Sequence, residues 1–157
     1  TRKNDAPLAF DFDKVLEQSR DNPVYYVQYA SARIHSVFRK ADEAGITFDK
    51  KLAMNEQFET VTHEAEIKIA KKLAEWPRLV EIAAKTNEPH RIAFYLYELA
   101  GDFHSLWNKG NEISELRFIQ EDNHRASCIK MAMISAVLVV ISSGLDILGV
   151  EPATHMN

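Results

Sequence analysis

Apolar residues near the start of the chain recur with the period of a helix. At about 100° per residue, one face of residues 23–41 is apolar and carries Val27, Ala30, Ile34, Val37, Phe38 and Ala41. Asn22 followed by Pro23 is typical of a helix start, because asparagine caps free amides and proline suits the first helical position. Gly45 is typical of a helix end. The pattern therefore predicts a helix from Pro23 to about Ala44.

Similar patterns predict helices along most of the remaining chain. We place them at about residues 14–19, 62–75, 76–85, 87–109 and 122–143, with a polar connection at 110–120. The pattern of residues 46–60 is ambiguous and fits either a loop or a loop with a little helix. Pro77 separates the second and third of these, because proline disrupts a helix interior. Asn87 and Pro89 repeat the start signal of the first long helix, and Gly144 is the expected cap of the last. Long helices with short links predict an all-α fold, an antiparallel helical bundle.

The last predicted helix differs from the others because residues 131–141 are apolar on nearly all sides. Such a helix belongs at the centre of a bundle. A membrane span needs about 20 apolar residues, so we predict a buried core helix and no membrane association.

Composition fits one soluble domain of 157 residues, with five glycines and five prolines, too few for the turns of an all-β fold. The single cysteine, Cys128, suits a reducing, cytoplasmic location. The net charge of −4 excludes a basic surface over the whole domain, so any nucleic-acid contact must be local. The chain does not begin with Met, and we expect residues 1–13 to be a linker to a missing domain and residues 14–157 to be the helical domain.

Two short motifs suggest chemistry but are weak. Glu121 and His124 have a di-iron spacing, but that site needs the motif twice, so we predict no metal. Ser127 and Lys130 match a serine-lysine motif whose companion motifs are missing. We therefore predict no catalytic residues in this chain.

One border of the first long helix is a candidate RNA site. Tyr26, Tyr29 and Arg33 are neighbours at helical spacing, and Ser36 and Lys40 continue the border as possible contacts to an RNA backbone. Aromatic rings and arginine stack on unpaired bases. Residues 20–40 hold four basic side chains against one acidic one, a local balance of +3. The alternative is that these tyrosines merely pack at the edge of the core with their hydroxyls in water.

Three segments resemble arginyl-tRNA synthetase. Residues 11–41 contain the run NPVYYVQYA followed by Ala32 and Arg33; residues 88–107 read EPHRIAFYLYELAGDFHSLW; residues 143–156 read SGLDILGVEPATHM. They lie in the order found in that family and bracket nearly the whole chain. The resemblance is to the C-terminal anticodon-binding domain, a helical bundle of the DALR type.

The resemblance implies a role for individual residues. It assigns anticodon-loop contact to the positions of Tyr26, Tyr29 and Arg33, with an aromatic at Trp107 and the near-terminal Met156. On that basis we interpret the border as an RNA site. Ser31 departs from the family, which commonly has histidine there. Trp107 replaces a frequent tyrosine, and Asn157 extends beyond the usual last methionine.

The resemblance also implies partners and cofactors. We expect arginine-specific tRNA and the catalytic domain of the same chain as partners, and a monomer. ATP with Mg would bind the missing catalytic domain, because the HIGH-like and KMSKS-like sequences of class I synthetases do not occur here. This portion alone is expected to bind no cofactor and to be inactive. Alternatives are the related helical domain of the glycyl enzyme's β subunit, a helical protein-interaction module and, least supported, a stand-alone enzyme.

Overall fold

The computed structural model describes residues 19, 21–46, 48 and 61–156. These residues form four long helices and no strand, which confirms the all-α prediction. The helices are α1 (Pro23–Glu43), α2 (Glu64–Thr86), α3 (His90–Glu112) and α4 (His124–Ile147), with a 3-10 turn at Ser114–Leu116. The predicted linker at 1–13 lies outside the described residues. So do the predicted short helix at 14–19, except for Ser19, and nearly all of the ambiguous segment 46–60.

Helix α1 begins and ends where its sequence predicts. The Asn22 side chain accepts hydrogen bonds from the amides of Val24 (3.1 Å) and Tyr25 (3.3 Å), which satisfies two amides without helical partners. Gly45 has φ +71°, a conformation that glycine adopts without a steric penalty. Both ends of α1 are therefore defined, which sets the direction in which the border residues from Tyr26 to Lys40 face.

Helices α3 and α4 form the centre of the bundle, because they contact each other and both pack against α1 and α2. In α4, Ile134, Val137 and Ile141 are fully buried. Val139 is 64% exposed and Leu138 only half-buried, so α4 is not buried on all sides. The helix is long and apolar enough to cross a membrane, but most of that stretch is covered by the other helices.

The predicted break at Pro77 is wrong, since α2 continues through it. Proline leaves the Leu73 carbonyl without its helical donor. The turn before it is held from α3: the Tyr95 hydroxyl donates to the Lys72 carbonyl (2.5 Å), and the Trp76 and Tyr95 rings lie 5.3 Å apart. Contacts from α3 thus stabilise a continuous helix where the local sequence predicts a break.

Two predicted caps are also wrong. Asn87 does not begin α3; it ends α2 in the left-handed region at φ +54°, and α3 begins after Pro89. Gly144 does not end α4 but lies inside it, where an added Cβ would come within 2.7 Å of the Leu96 side chain. The missing side chain lets α3 and α4 approach closely, and Gly149 (φ +72°) follows the helix end instead.

The connection between α3 and α4 is less polar than predicted. Helix α3 extends to Glu112, and Leu116 and Phe118 are buried beyond it. The Phe118 ring stacks on Phe103 of α3 at 5.8 Å and an interplanar angle of 10°. The segment after α3 thus folds back over the core beside Trp107, whose ring lies 6.0 Å from that of Phe118.

A buried ion pair joins α2 to α4. Lys130 donates to the carboxylate of Glu66, and their side chains are only 8% and 2% exposed. Ser127, one turn earlier, exchanges hydrogen bonds with the backbone of Gln120. The serine and lysine of the weak catalytic motif therefore both make structural contacts.

Candidate nucleic-acid interface

Tyr29, Arg33 and Trp107 meet on one side of the bundle. The Arg33 guanidinium carbon lies 4.3 Å from the centroid of the Tyr29 ring and 4.9 Å from that of Trp107. Arg33 Nη2 also donates to the Tyr29 hydroxyl (2.9 Å). Aromatic rings attract a cation over their faces, so α1 and α3 together hold the guanidinium in a defined orientation.

His104 orients the same arginine from α3, and sequence reasoning missed it. Its Nδ1 lies 3.2 Å from Arg33 Nη1, and its Nε2 lies 3.3 Å from the Tyr26 carbonyl oxygen. Guanidinium only donates and a carbonyl only accepts, so Nδ1 accepts and Nε2 carries the proton. A neutral imidazole, 5% exposed, therefore links Arg33 to the backbone of α1. The signal that could have found it is its position three residues before Trp107 on α3.

Tyr26 has a different place from Tyr29. Its ring packs at 4.6 Å from His104 and at 5.2 Å from Tyr97, so it supports the interface from beneath. Tyr25, which sequence reasoning did not select, stacks on Tyr29 at 6.2 Å and extends the aromatic surface toward the start of α1.

The C-terminal segment lies across α1 and brings Met156 to the site. Gln28 Nε2 donates to the Glu151 carbonyl (2.9 Å), and Arg39 Nη1 donates to the Thr154 carbonyl (3.3 Å). Both donors lie on the face of α1 opposite its apolar stripe. The segment 151–156 contacts that face through these two hydrogen bonds, and Arg39 stays exposed.

These elements line a cleft of about 350 Å³, here called the Arg33 pocket. It is lined by Tyr29, Ala32, Arg33, Ser36, Arg39, Trp107, His155 and Met156. Five of the seven predicted RNA contacts thus converge here: Tyr29, Arg33, Ser36, Trp107 and Met156. Tyr26 lies behind the pocket, and Lys40 lines a neighbouring cavity that also contains Trp107. The roles of all seven residues in binding remain predictions.

The pocket is electropositive and aromatic. Arg33 and Arg39 are its charged lining residues, and no lining residue is acidic. Beside it, burial lowers the pKa of His35, and the nearby charges of Arg39 and His155 lower that pKa further. Flat rings beside guanidinium donors can stack on an unpaired base while hydrogen-bonding its edge or a phosphate.

Within residues 19, 21–46, 48 and 61–156, no group of three His, Cys, Asp or Glu side chains could hold an ion. Cys128, the single cysteine, is buried in α4.

Comparison with known proteins identifies the domain. The chain is 65% identical over 157 residues to an arginine–tRNA ligase of Ruegeria pomeroyi and 59% identical to one of Roseobacter denitrificans, matching 100% of this chain and 27% of each relative. A crystal structure of a provisionally assigned arginyl-tRNA synthetase from Campylobacter jejuni superposes with a TM-score of 0.79 at 24% identity, covering 99% of this chain and 31% of that one. The family model of the DALR anticodon-binding domain matches residues 27–156. The chain therefore belongs to the DALR anticodon-binding domain family.

Proposed function

We propose that this chain is the part of an arginine–tRNA ligase that recognises the anticodon stem and loop of arginine tRNA. The observation that carries the proposal is the convergence of Tyr29, Arg33, Trp107 and Met156 on one pocket from three separate parts of the chain. The names of the relatives favour the arginine enzyme over the glycyl alternative. The chain spans 27% of the length of those relatives, so ligation belongs to the whole protein.

The remaining chemistry lies with the rest of such a ligase. ATP with Mg would bind its catalytic domain, which is this domain's partner within the same chain. We propose a monomer in the cytoplasm, where tRNA is charged. The domain contributes by holding one end of the tRNA so that the other end can reach that catalytic domain.

The test is a binding titration of the full-length protein carrying this domain with arginine tRNA and a non-cognate tRNA. Stacking contributes about 1–3 kcal/mol per base, so Tyr29→Ala should weaken cognate binding about 5- to 150-fold. Arg33→Ala should reduce discrimination between the two RNAs if Arg33 reads a base edge. If Arg33 contacts only phosphate, Arg33→Ala should instead reduce the salt dependence of tRNA binding.

Matched controls lie outside the pocket. Phe94, 45% exposed on α3, is the aromatic control, and the exposed Arg78 on α2 is the cationic control. Neither Phe94→Ala nor Arg78→Ala should change binding, and melting curves should show all variants folded. Parent-like affinity and discrimination in folded Tyr29→Ala and Arg33→Ala proteins would contradict the proposal.

A further inference from the structure

A second cavity also borders Trp107. It measures about 180 Å³ and shares only Trp107 with the Arg33 pocket. Val37, Leu116 and Phe118 give it apolar walls. Lys40, Asn111 and Arg117, all exposed, add polar groups. We call it the Asn111 pocket.

The two cavities follow each other along α1. Arg33 and Ser36 line the first, whereas Val37 and Lys40 line the second. The second set lies about one helical turn further on, a displacement of about 5 Å. An RNA strand that places a base in the Arg33 pocket would therefore reach the Asn111 pocket with its next unstacked nucleotide.

The walls of the Asn111 pocket are held in position. The Arg117 Nε donates to the Gly110 carbonyl (3.2 Å), which fixes the guanidinium beside the end of α3. A Cβ at Gly110 would lie 3.3 Å from the Leu116 carbonyl oxygen, so glycine permits the close approach of the 3-10 turn to α3. Phe118 is 7% exposed and stacked on the core.

The polar groups suit one kind of occupant. An apolar, partly aromatic wall accepts the face of a base, and an amide side chain can both donate to and accept from its edge. Lys40 and Arg117 add positive charge where the strand between two bases would carry a phosphate. All lining residues of the pocket are neutral or basic, which matches an anionic strand.

We propose that the Asn111 pocket binds a second unpaired base of the same RNA loop, adjacent to the base in the Arg33 pocket. This inference rests on the proposed function. Trp107 separates the two bases, Lys40 contacts the phosphate that joins them, and Asn111 hydrogen-bonds the edge of the second base. The domain therefore recognises two neighbouring nucleotides in two structurally distinct pockets.

The test pairs protein variants with abasic RNA. The full-length protein is titrated with anticodon stem-loops of arginine tRNA, either intact or carrying one abasic nucleotide at each loop position in turn. Asn111→Ala should weaken binding of the intact loop about 2- to 12-fold, the range expected for one hydrogen bond. On the loop that lacks the base bound in the Asn111 pocket, Asn111→Ala should cause no further loss of affinity. That abasic position should be next to the position at which Tyr29→Ala no longer weakens binding.

Further variants separate the outcomes. Lys40→Ala should reduce the salt slope by about one unit, whereas Lys71→Ala, an exposed lysine on α2, should not. If Tyr29→Ala weakens binding but Asn111→Ala behaves like Lys71→Ala on every loop, the second pocket is refuted and the proposed function stands. Equal losses for Asn111→Ala on all abasic loops would also refute it. A parent protein that does not distinguish the cognate loop from a non-cognate one would overturn both proposals.

Discussion

The orientation of Arg33 depends on His104, because the imidazole joins the guanidinium to the Tyr26 carbonyl. An asparagine amide can reach about where Nδ1 lies, whereas a glutamine amide reaches only the Nε2 position. We expect His104→Gln to weaken cognate tRNA binding by about 1 kcal/mol, and His104→Asn to weaken it less. Titrations with tRNA would measure both.

A double variant gives the control for His104. If the histidine acts through the arginine, His104→Gln should cause no added loss in an Arg33→Ala background. Fully additive losses in folded proteins would show that His104 supports the interface by another route.

His35 should make stability depend on pH. Its pKa is held below the ordinary value of 6.5 by burial first and then by Arg39 and His155. The unfolded chain therefore takes up this proton more readily, and stability is lost as the pH falls below about 6.5. Denaturant unfolding at several pH values should show a smaller acid-side loss in His35→Gln than in the parent; identical profiles would contradict the assignment.

For individual residues, the sequence predicts which side chains share one face of the same helix. Tyr29, Arg33 and Ser36 share a border of α1, so helical spacing alone groups them. Trp107 and Met156 came only from the resemblance. His104 and the tail contact of Arg39 could not be predicted, because each depends on how α1 packs against a segment more than 70 residues away.

At the scale of elements, the α2–α4 contact contains the buried pair Glu66 and Lys130. Removing one partner leaves an unpaired charge in the core. Glu66→Ala and Lys130→Ala should therefore each lower the unfolding free energy by about 3–5 kcal/mol. The double variant Glu66→Leu with Lys130→Met should recover most of that loss. Denaturant unfolding of all three measures it, and a double variant as unstable as the sum of the singles would contradict this account.

The burial of α4 gives a second test of packing. Ile134→Ala opens a cavity at a fully buried position and should cost about 2–5 kcal/mol. Leu138→Ala, at a half-buried position, should cost clearly less. Denaturant unfolding that ranked the two in the opposite order would mean that α4 faces the core with a different side.

Element boundaries were predictable where the signal is local. Asn22 and Gly45 act within their own turns, and the boundaries of α1 followed from them. Pro77 and Gly144 were misread because the decisive partners, Tyr95 and Leu96, lie on α3. Local sequence marks a proline or glycine as a break, whereas packing decides whether the helix continues.

For the whole molecule, catalysis is expected to need residues that this chain does not carry. Its sequence contains neither HIGH-like nor KMSKS-like motifs. We expect the purified 157-residue chain to show no arginine-dependent ATP–pyrophosphate exchange and no charging of tRNA. The full-length ligase is the positive control, and measurable exchange by the 157-residue chain would contradict the prediction.

The contact of the C-terminal segment with α1 has an evolutionary consequence. Gln28 and Arg39 grip this segment through the backbone carbonyls of Glu151 and Thr154, groups that every amino acid supplies. The side chains at positions 151 and 154 can therefore change among homologues while these backbone contacts still hold Met156 in place. Selection should act instead on the two donors in α1, because the loss of either removes one of these two side-chain contacts to the segment.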